Sequence, residues 1–175
     1  LANPVKLVPA TAQSLPTIEK NGQVYTFKIK SGIYFTDDPA FKGKRRELVA
    51  EDYVYSIKRI LDPKNHAPSF SFIDNKLVGA NALVEQANKT GQFNYDAKIE
   101  GVKALDKYTI QFKLTQPDYN FPYILAYSTF GATAREVVEY YKDQLGMHPV
   151  GTGPYMLSRY VPRSKIELIA NPDYR

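Results

Sequence analysis

The chain has no cysteine and no tryptophan, and only two histidines and two methionines, in 175 residues. The missing cysteine excludes a disulfide framework, a thiolate metal site and a cysteine nucleophile together. No stretch reaches the roughly 18 consecutive apolar residues that a membrane span requires. There is no charged start followed by an apolar h-region, and Leu1 in place of Met reads as the start of an excised piece. The histidines are separated: His66 lies in a loop and His148 precedes a glycine pair. A hydrolase triad needs a nucleophile, base and orienter in one constellation, and no G-x-S-x-G elbow is present to anchor one. The acidic pair Asp37-Asp38 precedes Pro39 and reads as an Asx-type turn. It lacks the D-x-[DN]-x-[DN]-G spacing of a calcium loop, so no metal ligands and no cofactor are assigned.

What is present is ordinary in bulk, with 43% hydrophobic and 23% charged residues, but rich in tyrosine (14) and phenylalanine (9). Tyrosine suits half-buried surfaces such as clefts and lobe interfaces, and equally the exterior of a sheet. The net charge of +5 raises a nucleic-acid reading, with Gly43-Lys44-Arg45-Arg46 as its best patch. Asp37, Asp38, Glu47, Glu51 and Asp52 flank that patch, and a solvated loop is the alternative.

Pro4, Pro9 and Pro16 keep the first residues extended up to a turn at Asn21-Gly22. Strict alternation in VYTFKIK (24–30) predicts a strand with Tyr25, Phe27 and Ile29 on one face, and Ile33-Tyr34-Phe35 a short second one. Apolar residues at 53, 54, 57, 60 and 61 predict a helix over 50–61, with Glu51 and Asp52 at its positive end, Lys58 and Arg59 at its negative end, and Asp62-Pro63 as the stop. The segment KNHAPSFSFIDN reads as irregular. Further helices are expected over about 78–89, closed by Gly91, over 121–126, and over 135–145, capped by Gly146. A hairpin is expected over 101–114 with Asp106-Lys107 at its turn, and two more strands, YMLSRYV and KIELIA, meet through Pro162-Arg163-Ser164. Strands and helices interleave irregularly, which predicts an α+β fold.

One cramped turn stands out, HPVGTGPYML at 148–157. It is not a P-loop, because Gly153 is followed by Pro154 and a strand pattern rather than Lys and a helix. It also lacks the third glycine of the dinucleotide fingerprint.

That turn is one of five stretches that together resemble one family. YTFKIKSGIYF (25–35), AEDYVYSIKRILDP (50–63), GVKALDKYTIQFKL (101–114), PVGTGPYML (149–157) and KIELIANPDYR (165–175) follow the order seen in the extracytoplasmic solute-binding proteins of ABC importers, in the cluster of oligopeptide- and dipeptide-binding proteins. The chain departs from the family pattern in three places. Asp37-Asp38-Pro39 and an insertion reaching Arg46 replace the usual Asp-Gly, Val49 replaces a helix-capping threonine, and Arg175 stands where an aromatic residue is usual.

The resemblance implies a clamshell-like binding protein without catalytic residues, exported to the periplasm or another extracytoplasmic space. Such a protein captures peptides or a related solute and delivers them to a membrane permease. It further implies that residues 1–148 form the small α+β lobe and 149–175 begin one main lobe, whose remainder, with the opposing lobe, belongs to the missing part of the polypeptide. Gly151, Thr152 and Gly153 are candidates to line the ligand cleft, or they make only a tight crossover with positive φ or close backbone packing. Phe70 and Phe72 are candidates for ligand contact, or they are core. A basic nucleic-acid-binding module and an unrecognised hydrolase are the competing classes.

Overall fold

The computed structural model describes residues 6–174; Leu1, Pro4 and Arg175, which the sequence reading used, lie outside them. The fold is α+β. The chain divides into two compact units, one made of residues up to Lys30 and Val49–Gly131, the other of Ser31–Leu48 and the residues from Ala132 onward.

The first unit is built on a four-stranded antiparallel sheet in the order β1-β2-β4-β3, where β1 is Thr17–Glu19, β2 Val24–Lys28, β3 Val102–Asp106 and β4 Thr109–Lys113. The Asn21-Gly22 turn forms, with Lys20, Asn21 and Gly22 all at positive φ. In the β2/β4 register Tyr25 faces Phe112 and Phe27 faces Ile110, so the alternating residues of both strands share one face. Phe121 seals that face, with ring centroids 5.6 Å from Tyr25 and 5.3 Å from Phe112. Tyr25 and Phe121 are both fully buried, and the Tyr25 hydroxyl donates to the Asp118 carbonyl at 2.8 Å. A tyrosine with its tip satisfied can therefore serve as core.

Helix α1 is Ala50–Leu61 as expected, and Val54, Ile57, Ile60 and Leu61 are buried. Val49 supplies no capping oxygen, but the Asp52 carboxylate accepts the Val49 N–H at 2.8 Å, which preserves half of a capping box. At the other end Lys58 runs its stem through the interior and donates from Nζ to the Tyr95 carbonyl at 2.7 Å. The segment expected to be irregular contains a one-turn helix, α2 (Phe70–Ile73), anchored by the fully buried Ile73. It is followed by α3 (Ala80–Thr90), which Gly91 closes at φ 68°, and by α4 (Phe121–Leu125). The glycine that the packing demands is Gly101. A Cβ there would stand 2.7 Å from Leu77 Cβ and from the Val78 backbone.

In the second unit Ile33-Tyr34-Phe35 does not become a full strand. It forms a single bridge, Tyr34 to Glu47, with flanking hydrogen bonds from Phe35 N–H to the Arg46 carbonyl and from Leu48 N–H to the Ile33 carbonyl. Helix α5 is Arg135–Tyr141, shorter than expected. It ends where Lys142 takes φ 49°, and the chain tightens into a 3-10 helix over Lys142–Met147 that contains Gly146. Gly146 is therefore not the cap, because Lys142 itself takes the left-handed side of φ. The two terminal strands pair as an isolated hairpin, β5 (Tyr155–Val161) with β6 (Lys165–Ala170), turning at Arg163 with φ 61°.

Candidate functional site

Two places hold the expected site residues, one in each unit. In the first, α2 directs Phe70 to a half-buried position and Phe72 to the surface, because the adjacent Ile73 takes the interior. Phe72 is 39% exposed and stacks on Tyr127, at 5.3 Å between centroids and 24° between planes. Tyr127 is itself 56% exposed. Neither Phe70 nor Phe72 is a fully buried core residue, and one face of Phe72 is already covered. Tyr127 was not legible as its partner, since nothing in the AYST stretch that carries it marks a contact some fifty residues away.

In the second unit the glycine turn is tied down on several sides. Gly151 offers its carbonyl to the Thr36 N–H at 2.9 Å. Asn171, nearly buried, donates from Nδ2 to the Gly153 carbonyl at 2.8 Å and from its own N–H to the Pro154 carbonyl at 2.8 Å. Its Oδ1 accepts the Asp173 N–H at 3.0 Å. Asn171 is thus the clamp of the glycine turn, a pairing that spacing alone could not reveal. Just before the turn, the His148 ring lies flat on Tyr141 at 3.9 Å and 6°. Tyr141 in turn donates its hydroxyl to Asp38 at 2.9 Å. Burial first, and then that hydrogen bond, push the Tyr141 phenol from its ordinary 10.0 up to about 12.

The expectation of positive φ or close packing at these glycines is overturned. Gly151 and Gly153 are not among the positive-φ residues, and nothing lies within 4 Å of a Cβ placed on either. The hydrogen bonds to their carbonyls, with Pro154 fixing φ at the strand entry, set the turn without glycine-only geometry. Among the described residues no group accepts from the N–H of Gly151, Thr152 or Gly153.

The competing chemistries find little footing. The guanidinium of Arg45 lies 4.1 Å over the Tyr34 ring and pairs with Asp173 at 3.1 Å, while Arg46 pairs with Glu136 at 2.8 Å. The two arginines of the basic patch are therefore committed within the unit. Asp38 accepts the Ala40 N–H at 2.9 Å, as an Asx turn should. Among the described residues no group of three or more His, Asp or Glu side chains could hold a metal ion. His66 is exposed and, at φ 45°, closes a 3-10 turn.

Residues 6–175 match the family described as bacterial extracellular solute-binding proteins, family 5 Middle. Di/tripeptide-binding protein 2 of Pseudomonas aeruginosa is 30% identical over 174 residues, covering 96% of this chain and 30% of that protein. The peptide transport periplasmic protein SapA of Haemophilus influenzae is 31% identical, over 96% of this chain and 32% of its own length. Among solved structures, Haemophilus influenzae OppA in complex with the peptide RPPGFSPFR superposes with a TM-score of 0.76 at 25% identity, over 97% of this chain and 31% of that one. The chain thus spans about 30% of the length of the curated relatives it matches. With a match that runs through nearly every described residue, the chain belongs to the family 5 bacterial extracellular solute-binding proteins.

Proposed function

We propose that the chain is part of the substrate-binding component of an ABC importer that captures peptides outside the cytoplasm and delivers them to a membrane permease, without catalysing a reaction. The observation that carries this reading is the family match over residues 6–175, joined to relatives whose names specify peptide binding or peptide transport. Residues 1–148 are assigned to the small lobe and 149–175 to the start of a main lobe, with the remainder of the site on the rest of the longer polypeptide. Phe70 and Phe72 supply apolar contact to ligand. Gly151, Thr152 and Gly153 supply backbone N–H groups suited to a peptide carbonyl, since the carbonyls of Gly151 and Gly153 are engaged while the three N–H groups are not.

Titration calorimetry with a mixed peptide library tests the reading on this chain and on the longer polypeptide. Enclosure from both sides is what gives a binding protein its affinity, and part of a site must still offset an association cost of about 4–15 kcal/mol. The longer polypeptide is expected to bind peptide, and this chain to bind it at least a thousand-fold more weakly, about 4 kcal/mol. Submicromolar binding by this chain would place the whole site within these residues. Absence of peptide binding by the longer polypeptide would overturn the reading.

A further inference from the structure

Between the N-terminal strap and the sheet, the first unit holds open an apolar pocket of about 410 Å³. Its floor is Phe27, Ile29, Ile110 and Phe112 with Ile57 of α1, its walls are the residues around Leu7–Pro16 and those around Leu125–Phe130. The pocket opens to solvent past Val8, Leu15 and Tyr127, so it leaves apolar surface in water that closure of the walls or an occupant would remove. Here both walls are braced. The strap is stitched to the end of β2 by Gln13 N–H to the Lys28 carbonyl at 2.8 Å, Lys30 N–H to the Thr11 carbonyl at 2.9 Å, and Lys30 Nζ to the Ala10 carbonyl at 2.7 Å. Opposite, Tyr127 is held from behind by its stack on Phe72.

The lining fixes the chemistry of an occupant. Among the described residues no Asp, Glu, Lys, Arg or His lines the pocket, and the side-chain polarity there is confined to the hydroxyls of Thr11, Ser14, Tyr53, Tyr127 and Ser128. A charged group placed there would lose hydration with nothing to replace it. The volume falls in the roughly 300–1,000 Å³ range of small-molecule sites, which are likewise mostly apolar with a few hydroxyls or amides. We propose that this pocket binds a small uncharged apolar molecule, an aromatic ring system or a short aliphatic chain, with Tyr127 as one wall and the 7–16 strap as the other. The site stands on the first unit alone and does not depend on the peptide-capture reading.

Fluorescence titration with the neutral probe N-phenylnaphthylamine tests it. The chain should bind one probe saturably. Ala126→Trp, which fills the pocket from its exposed rim, should weaken binding by about ten-fold or more, and Ala10→Phe on the opposite wall should do the same, so that a folding failure in one leaves the other to decide. Leu168→Thr, on the exposed hairpin of the second unit, should leave binding unchanged. Non-saturable binding, binding unaffected by either filling variant, or binding lost in Leu168→Thr would overturn the proposal. So would a probe that binds this chain but is excluded from the longer polypeptide, because the pocket would then be a seat for another part of that polypeptide.

Discussion

The two sheets of the molecule, one of four short strands and one of two longer ones, have opposite fates. In the first unit β2 and β4 are flanked on both sides by strands, and their apolar residues are covered by α1 and Phe121. In the second, β5 and β6 pair only with each other, and Tyr155, Ile166, Leu168 and Ile169 remain largely exposed. Two-stranded ribbons are marginal in water unless something packs against them. The hairpin carries the sequence of a buried sheet without the cover, and a patch of that kind marks a surface meant for contact. This agrees with a chain that spans about 30% of its relatives.

The comparison breaks most readily at Phe121. Phe121→Ala removes the ring that touches both Tyr25 and Phe112 and should cost about 3–5 kcal/mol, measured by urea unfolding and by hydrogen exchange of the β2 and β4 amides. A loss below about 1 kcal/mol would mean that the first unit is not held by this aromatic cluster.

Glycines sharpen the same contrast. Gly101→Ala forces a methyl group against Leu77 Cβ and the Val78 backbone and should destabilise by about 1–3 kcal/mol. Gly153→Ala, in open space at ordinary φ, should stay within about 0.5 kcal/mol. Denaturant midpoints of the two variants decide this, and a reversed ranking would contradict the packing at Gly101.

Local rules carried the sequence reading through most of the elements. α1 followed from its apolar spacing and its Asp62-Pro63 stop, and the β3/β4 hairpin from alternation around Asp106-Lys107, because the signal and the structure both lie within a few residues. One failure was local and the others were long-range. Gly146 read as a cap because glycine is the usual residue at positive φ, whereas Lys142 took positive φ four residues earlier. The glycine turn read as glycine-driven, whereas Asn171 and Thr36, at opposite ends of the unit's sequence, set it. Phe72 was found as a candidate but its Tyr127 partner was not, since no period connects α2 to the segment after α4.

A smaller effect concerns Tyr141, whose phenol is favoured as neutral in the folded chain. Its raised folded pKa gives stability that is complete below its ordinary pKa and is lost as pH rises through the folded value, so the window runs from about pH 10 to about pH 12. Tyr141→Phe removes the hydrogen bond to Asp38 and should cost about 0.5–1.5 kcal/mol near neutral pH. It should also flatten stability across that alkaline window relative to the parent. An unchanged alkaline profile, followed by hydrogen exchange of the α5 amides, would show that the Asp38 contact is not formed in solution.

The smallest expected effect is the most diagnostic. Leu168 is 58% exposed on β6, so Leu168→Thr removes little buried area and keeps a residue suited to strands. In this chain its unfolding free energy should move by no more than about 0.5 kcal/mol, as for other surface changes. In the longer polypeptide the same residue is expected to be covered, and replacing a buried leucine by a smaller, hydroxylated side chain should then cost about 2 kcal/mol or more, from lost apolar burial and a hydroxyl placed among apolar groups. Unfolding curves for parent and variant, in both the short and the long chain, separate the two cases. Equal, small shifts in both would mean that the hairpin is exposed in its native setting too, and the contrast between the covered and the uncovered sheet would be a property of the protein and not of its missing neighbours.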